Sequence, residues 1–417
     1  MALNYVWLAF FLIAFLVALI KLIFFGDVEI FSKVVSGIFD SAKTGFDISI
    51  GLVGMMTLWL GIMKIGERAG MIQVFSRAVA PFFRKLFPSI PSGHSANGSI
   101  MMNFSANMLG LDNAATPLGL KAMKELQEIN PEKETASNAQ IMFLVLNTAG
   151  ITLIPTSVIA IRQSMAIEQG LVGFNATDIF LPTLMGTFVS FISGMVAVAA
   201  YQRINLFKLP VLVFVLGFSG IMAALFFWLR QYSPEVMAQY IGLLGSLIIF
   251  SIIISFLVMG MVKRINVYEA FIEGAKEGFQ TAVTIIPYLI AILVAISAFR
   301  TTGCMDYIEQ GIAFAVAAMG FDTSFVPVVP VGIMKSLSGG GARGLMVDVM
   351  KTHGVDSFQG YLASIMQGST ETTFYILAVY FGSVNIRKTR YALTCGLIAD
   401  LVGIIAAIII AYATYKF

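Results

Sequence analysis

Apolar runs of about 20 residues, the length that crosses a bilayer core, recur at 5–25, 48–66, 138–162, 177–201, 210–230, 238–262, 281–298, 357–381 and 391–415. Two stretches between them break the pattern. Residues 87–117 and 326–344 are rich in Gly, Pro and Ser, yet lie among apolar pieces. Unpaired backbone survives at membrane depth only where protein or a water-filled cavity satisfies it, so both stretches predict re-entrant or broken helices. The pattern as a whole predicts an all-α polytopic membrane protein, with about nine transmembrane helices plus these interrupted pieces.

The two halves look related. "AKTGF" at 42–46 returns as "AKEGF" at 275–279, 233 residues later, and the same step carries Gly70 onto Gly303. Each half then passes through its Gly/Pro/Ser-rich stretch and ends with two long apolar helices, a shared order that strengthens a short match. The run at 210–230 belongs to neither half. With four crossings per half, one extra helix inverts the second repeat, which gives units of 1–205, a linking helix in 206–234, and 235–417. Inverted repeats with interrupted helices near mid-membrane are a common construction of secondary transporters. The balance of Lys and Arg between the two sides places the N-terminus in the cytoplasm and the C-terminus outside. The first run lacks a basic start and a small-residue cleavage site, so it reads as a retained helix.

Composition agrees. Hydrophobic residues make up 58% and charged residues 12% of the chain, with a mean hydropathy of +0.88, which excludes a soluble domain. The 26 basic and 23 acidic residues leave a net charge of +3 and no nucleic-acid signal. Cys304 and Cys395 show neither pairing nor metal-ligand spacing. With His94 and His353 they are too scattered for a ligand set, so no metal or cofactor is expected. The charged stretch "KAMKELQEINPEKET" (121–135) reads as a solvated helix broken near Asn130 and Pro131.

Candidate chemistry gathers at the interruptions. In the first, Ser95, Ser99, Asn103 and Asn107 recur every fourth residue and share one helix face. This stripe either lines a hydrophilic path or bonds helix to helix; Asp112, Asn113 and Thr116 extend it. In the second, Lys335, Ser336 and Ser338 precede Gly339, Gly340 and Gly341, and Arg343 follows. A glycine-rich turn ahead of a helix leaves N–H groups for an anion or polar solute, although the Walker A ending is absent. The run 367–382 sets Glu371 among Ser369, Thr370, Thr372 and Thr373, and Asp400 lies in mid-span. Carboxylates inside a membrane are costly and read as functional by default. Asp112, Glu371 and Asp400 are therefore expected to bind a coupling proton or Na⁺. Asn147, Thr148, Thr152 and Pro155 occupy the equivalent place in the first half, where a mid-span proline removes a helix hydrogen bond.

Residues 91–95 spell "PSGHS", which resembles a phrase of membrane lipid phosphatases. Its companions are missing: there is no Arg-Pro dipeptide, and His353 lies in "KTHGVD" without a Ser-Arg lead. The phosphoryl-transfer set is incomplete, no catalytic residue is expected, and His94 reads as the mouth of the polar path.

Two longer resemblances remain. "HSANGSIMMNFSANMLGLDNAATPLGLKAM" and "LNTAGITLIPTSVIAIR" resemble the spore-maturation protein A family. "KSLSGGGARG" and "QGSTETTFYILAVYFGSVNIRKTRYAL" resemble the spore-maturation protein B family. The chain looks like a fusion of the two. Both belong to a group sharing a gate or nucleoside-recognition domain, also found in concentrative nucleoside transporters and bacterial ferrous-iron transporters. The resemblance implies a bacterial inner-membrane protein with paired gate repeats, without fixing the solute or any tie to sporulation. The expectation is a transporter of a small polar solute. A non-transporting envelope assembly or sensor protein, a metal-ion transporter and an intramembrane hydrolase stay open as alternatives, as does a homo-oligomer.

Overall fold

The computed structural model describes residues 2–91, 93–110 and 112–415, without the side chains of residues 2, 3, 112–114 and 234. The first half builds α1 (Ala2–Phe25), α2 (Ile30–Arg68), α3 (Met71–Leu86), α4 (Ser95–Met108), α5 (Asp112–Glu128), α6 (Asn138–Thr148), α7 (Thr156–Glu168) and α8 (Phe180–Gln202). After α9 (Leu209–Leu229) the same order returns. It comprises α10 (Pro234–Val262), α11 (Val267–Thr301), α12 (Cys304–Ala318), α13 (Val329–Leu337), α14 (Gly339–His353), α15 (Phe358–Ser369), α16 (Thr373–Gly382) and α17 (Ala392–Thr414). The protein is an all-α multi-pass membrane protein.

Among the described residues, seven helices are long and apolar enough to cross a membrane: α1, α2, α8 with its preceding 3₁₀ turn, α9, α10, α11 and α17. The other two expected crossings are broken helices. Residues 149–155 unwind between α6 and α7, and residues 370–372 between α15 and α16. Their starts are specified alike: the Ser137 hydroxyl caps α6 by accepting from Gln140 N, and the Ser357 hydroxyl caps α15 by accepting from Gly360 N. The polar stretches form two helical hairpins, α4–α5 and α13–α14. With 14 residues, α4 is about 21 Å long, too short for a core of about 30 Å.

The repeats meet along their mates. Gly45 lies against Ile290 and Leu293, and Gly278, its mate 233 residues on, lies against Met56 and Thr57. Since Ile290 is the mate of Thr57, one contact is the two-fold image of the other, as in an isologous interface. The pairing runs antiparallel, from Gly37 beside Thr301 to Gly61 beside Phe271. It ends in ion pairs of Lys64 with Glu277 (3.1 Å) and Glu273 (3.5 Å). α8 and α17 are also antiparallel: Ser190 Oγ donates to Ala399 O at 3.0 Å, and Tyr201 at the end of α8 stacks on Tyr391 before α17. Equivalent helices run in opposite directions, so the repeats are inverted.

α3 and α12 each open after a glycine with positive φ, Gly70 (83°) and Gly303 (80°), a conformation other residues adopt only with strain. α3 buries Phe82, Phe83 and Leu86 and exposes Arg77, Arg84 and Lys85. That one-sided pattern suits a helix lying along the assembly rather than crossing it. The charged stretch after α5 is not a loose turn. Asn130 is buried, and its amide donates to Glu132 O and Thr135 O, while Thr135 pairs with Lys388 of the other repeat.

Candidate functional site

All four interruptions converge. The tip of α4–α5 at Gly110, the unwound residues after α6, the tip of α13–α14 at Ser338 and the break at Glu371 surround two adjoining cavities, of about 680 and 70 Å³. Both are lined by Asn107, Asn147, Lys335, Arg343 and Glu371. Backbone groups freed at the breaks find partners across elements. Glu371 N donates to Thr148 O at 2.9 Å, and Leu153 N to Met108 O at 2.9 Å. The broken helices are thereby tied to each other, and the first is tied to the hairpin beside it. This meets the requirement that irregular backbone at membrane depth be satisfied by protein.

The serine–asparagine stripe divides by depth. Ser95 is exposed at the base of the hairpin and Ser99 is buried. Asn103 is fully buried; its amide donates to Ala115 O at 2.7 Å and lies 3.5 Å from the Tyr380 hydroxyl. That fastens α4 to α5 and to the other repeat. Only Asn107 reaches the cavity, donating to Asn147 Oδ1 at 2.8 Å. The inner half of the stripe, Asn103 and Asn107, therefore bonds helix to helix. His94 corrects the reading of a mouth: it caps α4, with Nδ1 accepting from Ala96 N at 3.2 Å, and lies 13 residues from Asn107, about 20 Å along a helix. Ser92 and the side chains of Asp112 and Asn113 lie outside the described residues.

Thr116, Lys335, Ser338, Arg343, Glu371 and Thr372 line the larger cavity, and Thr152 and Pro155 the smaller. Lys335 is buried, with Nζ 3.9 Å from Glu371 Oε2. The glycines correct a second expectation. Rather than preceding a helix they form the first turn of α14, and Ser338 Oγ already accepts from Gly341 N at 3.0 Å.

Thr148, Ser336, Ser369 and Asp400 are buried behind the cavity wall. The Ser369 hydroxyl donates to Ile365 O of its own helix. Thr373 Oγ1 donates to Asp400 Oδ2 at 2.7 Å, and Ser336 and the Lys335 charge act on the same carboxylate. Asp400 is thus the centre of a buried polar cluster rather than a cavity group. Sequence reasoning missed Gln367, which lines the smaller cavity. It stands ten residues past the Ser357 cap, as Asn147 stands ten past Ser137, so the repeat itself carried the signal. Beyond the hairpin tip, an apolar groove of about 530 Å³ between α1, α2, α7 and α11 shares Ser338, Gly340 and Arg343 with the polar cavity.

These paired interruptions coincide with the two segments, 49–165 and 282–387, that match the gate family, described as nucleoside recognition. The chain belongs to the gate family. Each matched gate segment contains one hairpin and one broken helix. Among curated proteins, the chain is similar to spore maturation protein B of Bacillus subtilis (strain 168), 47% identical over 159 residues, which cover 38% of this chain and 88% of that protein. It is also similar to spore maturation protein A of the same strain, 44% identical over 159 residues, covering 38% of this chain and 78% of that protein.

Proposed function

We propose that this gate protein is a secondary transporter of a small polar solute in the bacterial inner membrane, with its solute site in the cavity between the two hairpins. One observation carries the reading: four helix interruptions, two from each inverted repeat, meet at one polar cavity. A site on the pseudo-two-fold axis is the arrangement that lets one repeat rock against the other and expose the site alternately. Asn107, Asn147, Gln367 and Thr116 supply neutral donors and acceptors to a solute, while Lys335, Arg343 and Glu371 supply charge. The reading is of a carrier, with no chemical step assigned to any residue.

Coupling falls to the carboxylates. Asp400 connects α17 to the break in α15–α16 through Thr373, so a proton or Na⁺ taken up there would change how the broken helix is held. Glu371 is exposed to the cavity and is placed to exchange its lysine partner for solute or ion. The N-terminus is assigned to the cytoplasm, because the end bearing Arg203, Lys208, Arg387, Lys388 and Arg390 is the more basic.

The test is solute-library thermal shift on purified protein, since native-state binding raises apparent stability, followed by uptake of each hit into proteoliposomes under imposed proton or Na⁺ gradients. Asp400→Asn and Glu371→Gln should abolish gradient-driven uptake while the protein stays folded; unchanged uptake in both sinks the coupling assignment. The relatives' names offer a second reading, a maturation role without transport. Liposomes that take up no hit under either gradient, in two orientations, would favour it.

A further inference from the structure

Three titratable groups other than tyrosine line the cavity among the described residues: Lys335, Arg343 and Glu371. Two of them are accounted for. Lys335 stands 3.9 Å from Glu371 and also faces Asp400. Arg343 differs: its Nε is closed off from solvent and donates to no partner among the described residues, and none of its other side-chain donors has a protein partner there. Arg162 Nε is likewise without a partner, but the terminal nitrogens of Arg162 and Arg300 are held by carboxylates. Arg162 donates to both Asp178 oxygens, at 2.9 and 3.1 Å, and to Ser364 Oγ. Arg300 donates to Asp348 at 2.7 Å with Glu309 at 3.6 Å. A guanidinium carries five donors in a fixed fork and stays charged, and leaving such a charge without a counter-ion in a low-dielectric site is costly.

Position adds to chemistry. Arg343 lines the large cavity, the small cavity and the apolar groove, so it stands where the three meet. The amides of Asn107 and Asn147 come from the first repeat, whereas the cations come from the second. Among the described residues, the wall is charged on one side and neutral on the other.

We propose that Arg343 is the anchor for an oxyanion, a carboxylate or phosphate group of the solute, so that the protein's ligand is an anion rather than a neutral polar molecule. This rests on the cavity being the solute site. A forked guanidinium matches two oxygens of such a group, and Asn107 and Asn147 face its uncharged remainder. The oxyanion belongs either to a water-soluble solute or to the headgroup of an amphiphile whose tail lies in the adjoining groove.

The test uses the full chain in an uncharged detergent, with inorganic phosphate, dodecyl phosphate and uridine as probes in thermal-shift titrations. At least one anionic probe should raise the unfolding temperature saturably, with apparent affinity at least tenfold weaker in Arg343→Gln and partly restored in Arg343→Lys. Saturation by phosphate alone identifies a soluble anion; saturation by dodecyl phosphate alone identifies an amphiphile. Without probe, Arg343→Gln should unfold at the wild-type temperature or above, because it removes an unpaired charge. A lower temperature would show that the guanidinium serves the fold and would overturn the proposal. So would equal titrations in wild type and Arg343→Gln, or saturable binding of uridine alone. Anion binding without uptake would sink the carrier reading only. Uptake of a neutral solute unaffected by Arg343→Gln would sink the anion only.

Discussion

Asn103 and Asn107 are four residues apart on one helix face and do different work. Asn103 is enclosed and bonded to the Ala115 carbonyl, so Asn103→Ala leaves a buried acceptor without its donor and costs about 1–3 kcal/mol. Thermal unfolding of the purified variant should show that loss. Asn107→Ala gives up a partly buried contact to Asn147, should cost about 1 kcal/mol, and should weaken ligand binding instead. Arg162 presents the opposite case to Arg343. Removing its counter-ion through Asp178→Ala strands a buried guanidinium. The cost should be about 2 kcal/mol, below the value for a fully enclosed pair because the Asp178 side chain is 29% exposed. A drop in unfolding temperature checks this, and none is expected for Arg343→Gln. At this scale the sequence offered residue types and spacing, and both readings of the stripe. Which asparagine faced a carbonyl and which faced a cavity depended on the partner helix, which spacing does not contain.

Elements are held by close approach as much as by apolar burial. Along α2–α11 the backbones come near enough that a side chain at Gly278 would meet the Met56 carbonyl. Small residues that let helices touch are a main source of association in lipid, where apolar surface gains little by leaving its surroundings. Gly278→Val should therefore prevent recovery of folded, monodisperse protein, whereas Gly54→Val on the same seam helix, with open space around it, should be recovered nearly as wild type. Size-exclusion profiles after detergent extraction compare the two. The break near Pro155 was legible as a mid-span kink, whereas 357–381 read as one apolar run and its break at 370–372 came only with the fold. The extent of α14 was not legible either: a propensity argument puts Gly339–Gly341 outside a helix, yet Ser338 caps them into its first turn.

Across the whole molecule, the inverted repeat makes a prediction that either half alone could not. The segments 130–137 and 383–391 are joined by the Thr135–Lys388 bridge and by Arg390 donating to Ala136 O, so they share one end. The start of α2 lies beside Thr301 at the finish of α11. Single cysteines replacing Lys33 and Arg387 should react with impermeant reagent from opposite sides of the membrane, and labelling from one side would defeat the arrangement.

What the sequence by itself determined is the part written in local pattern. Run length against bilayer thickness fixed the crossings, and the 233-residue step with one helix left over fixed the inversion. Glycine and proline among apolar residues marked where helices stop. Tertiary structure alone decided which of those stops share a cavity, that Asp400 lies behind the wall rather than in it, that His94 caps a helix far from the centre, and that Arg343 is without a partner among the described residues. The physical reason is the same in each case. Crossing a membrane is settled by one segment against lipid, but a site is a meeting of segments distant in the chain, and its charges balance only when all of them are in place.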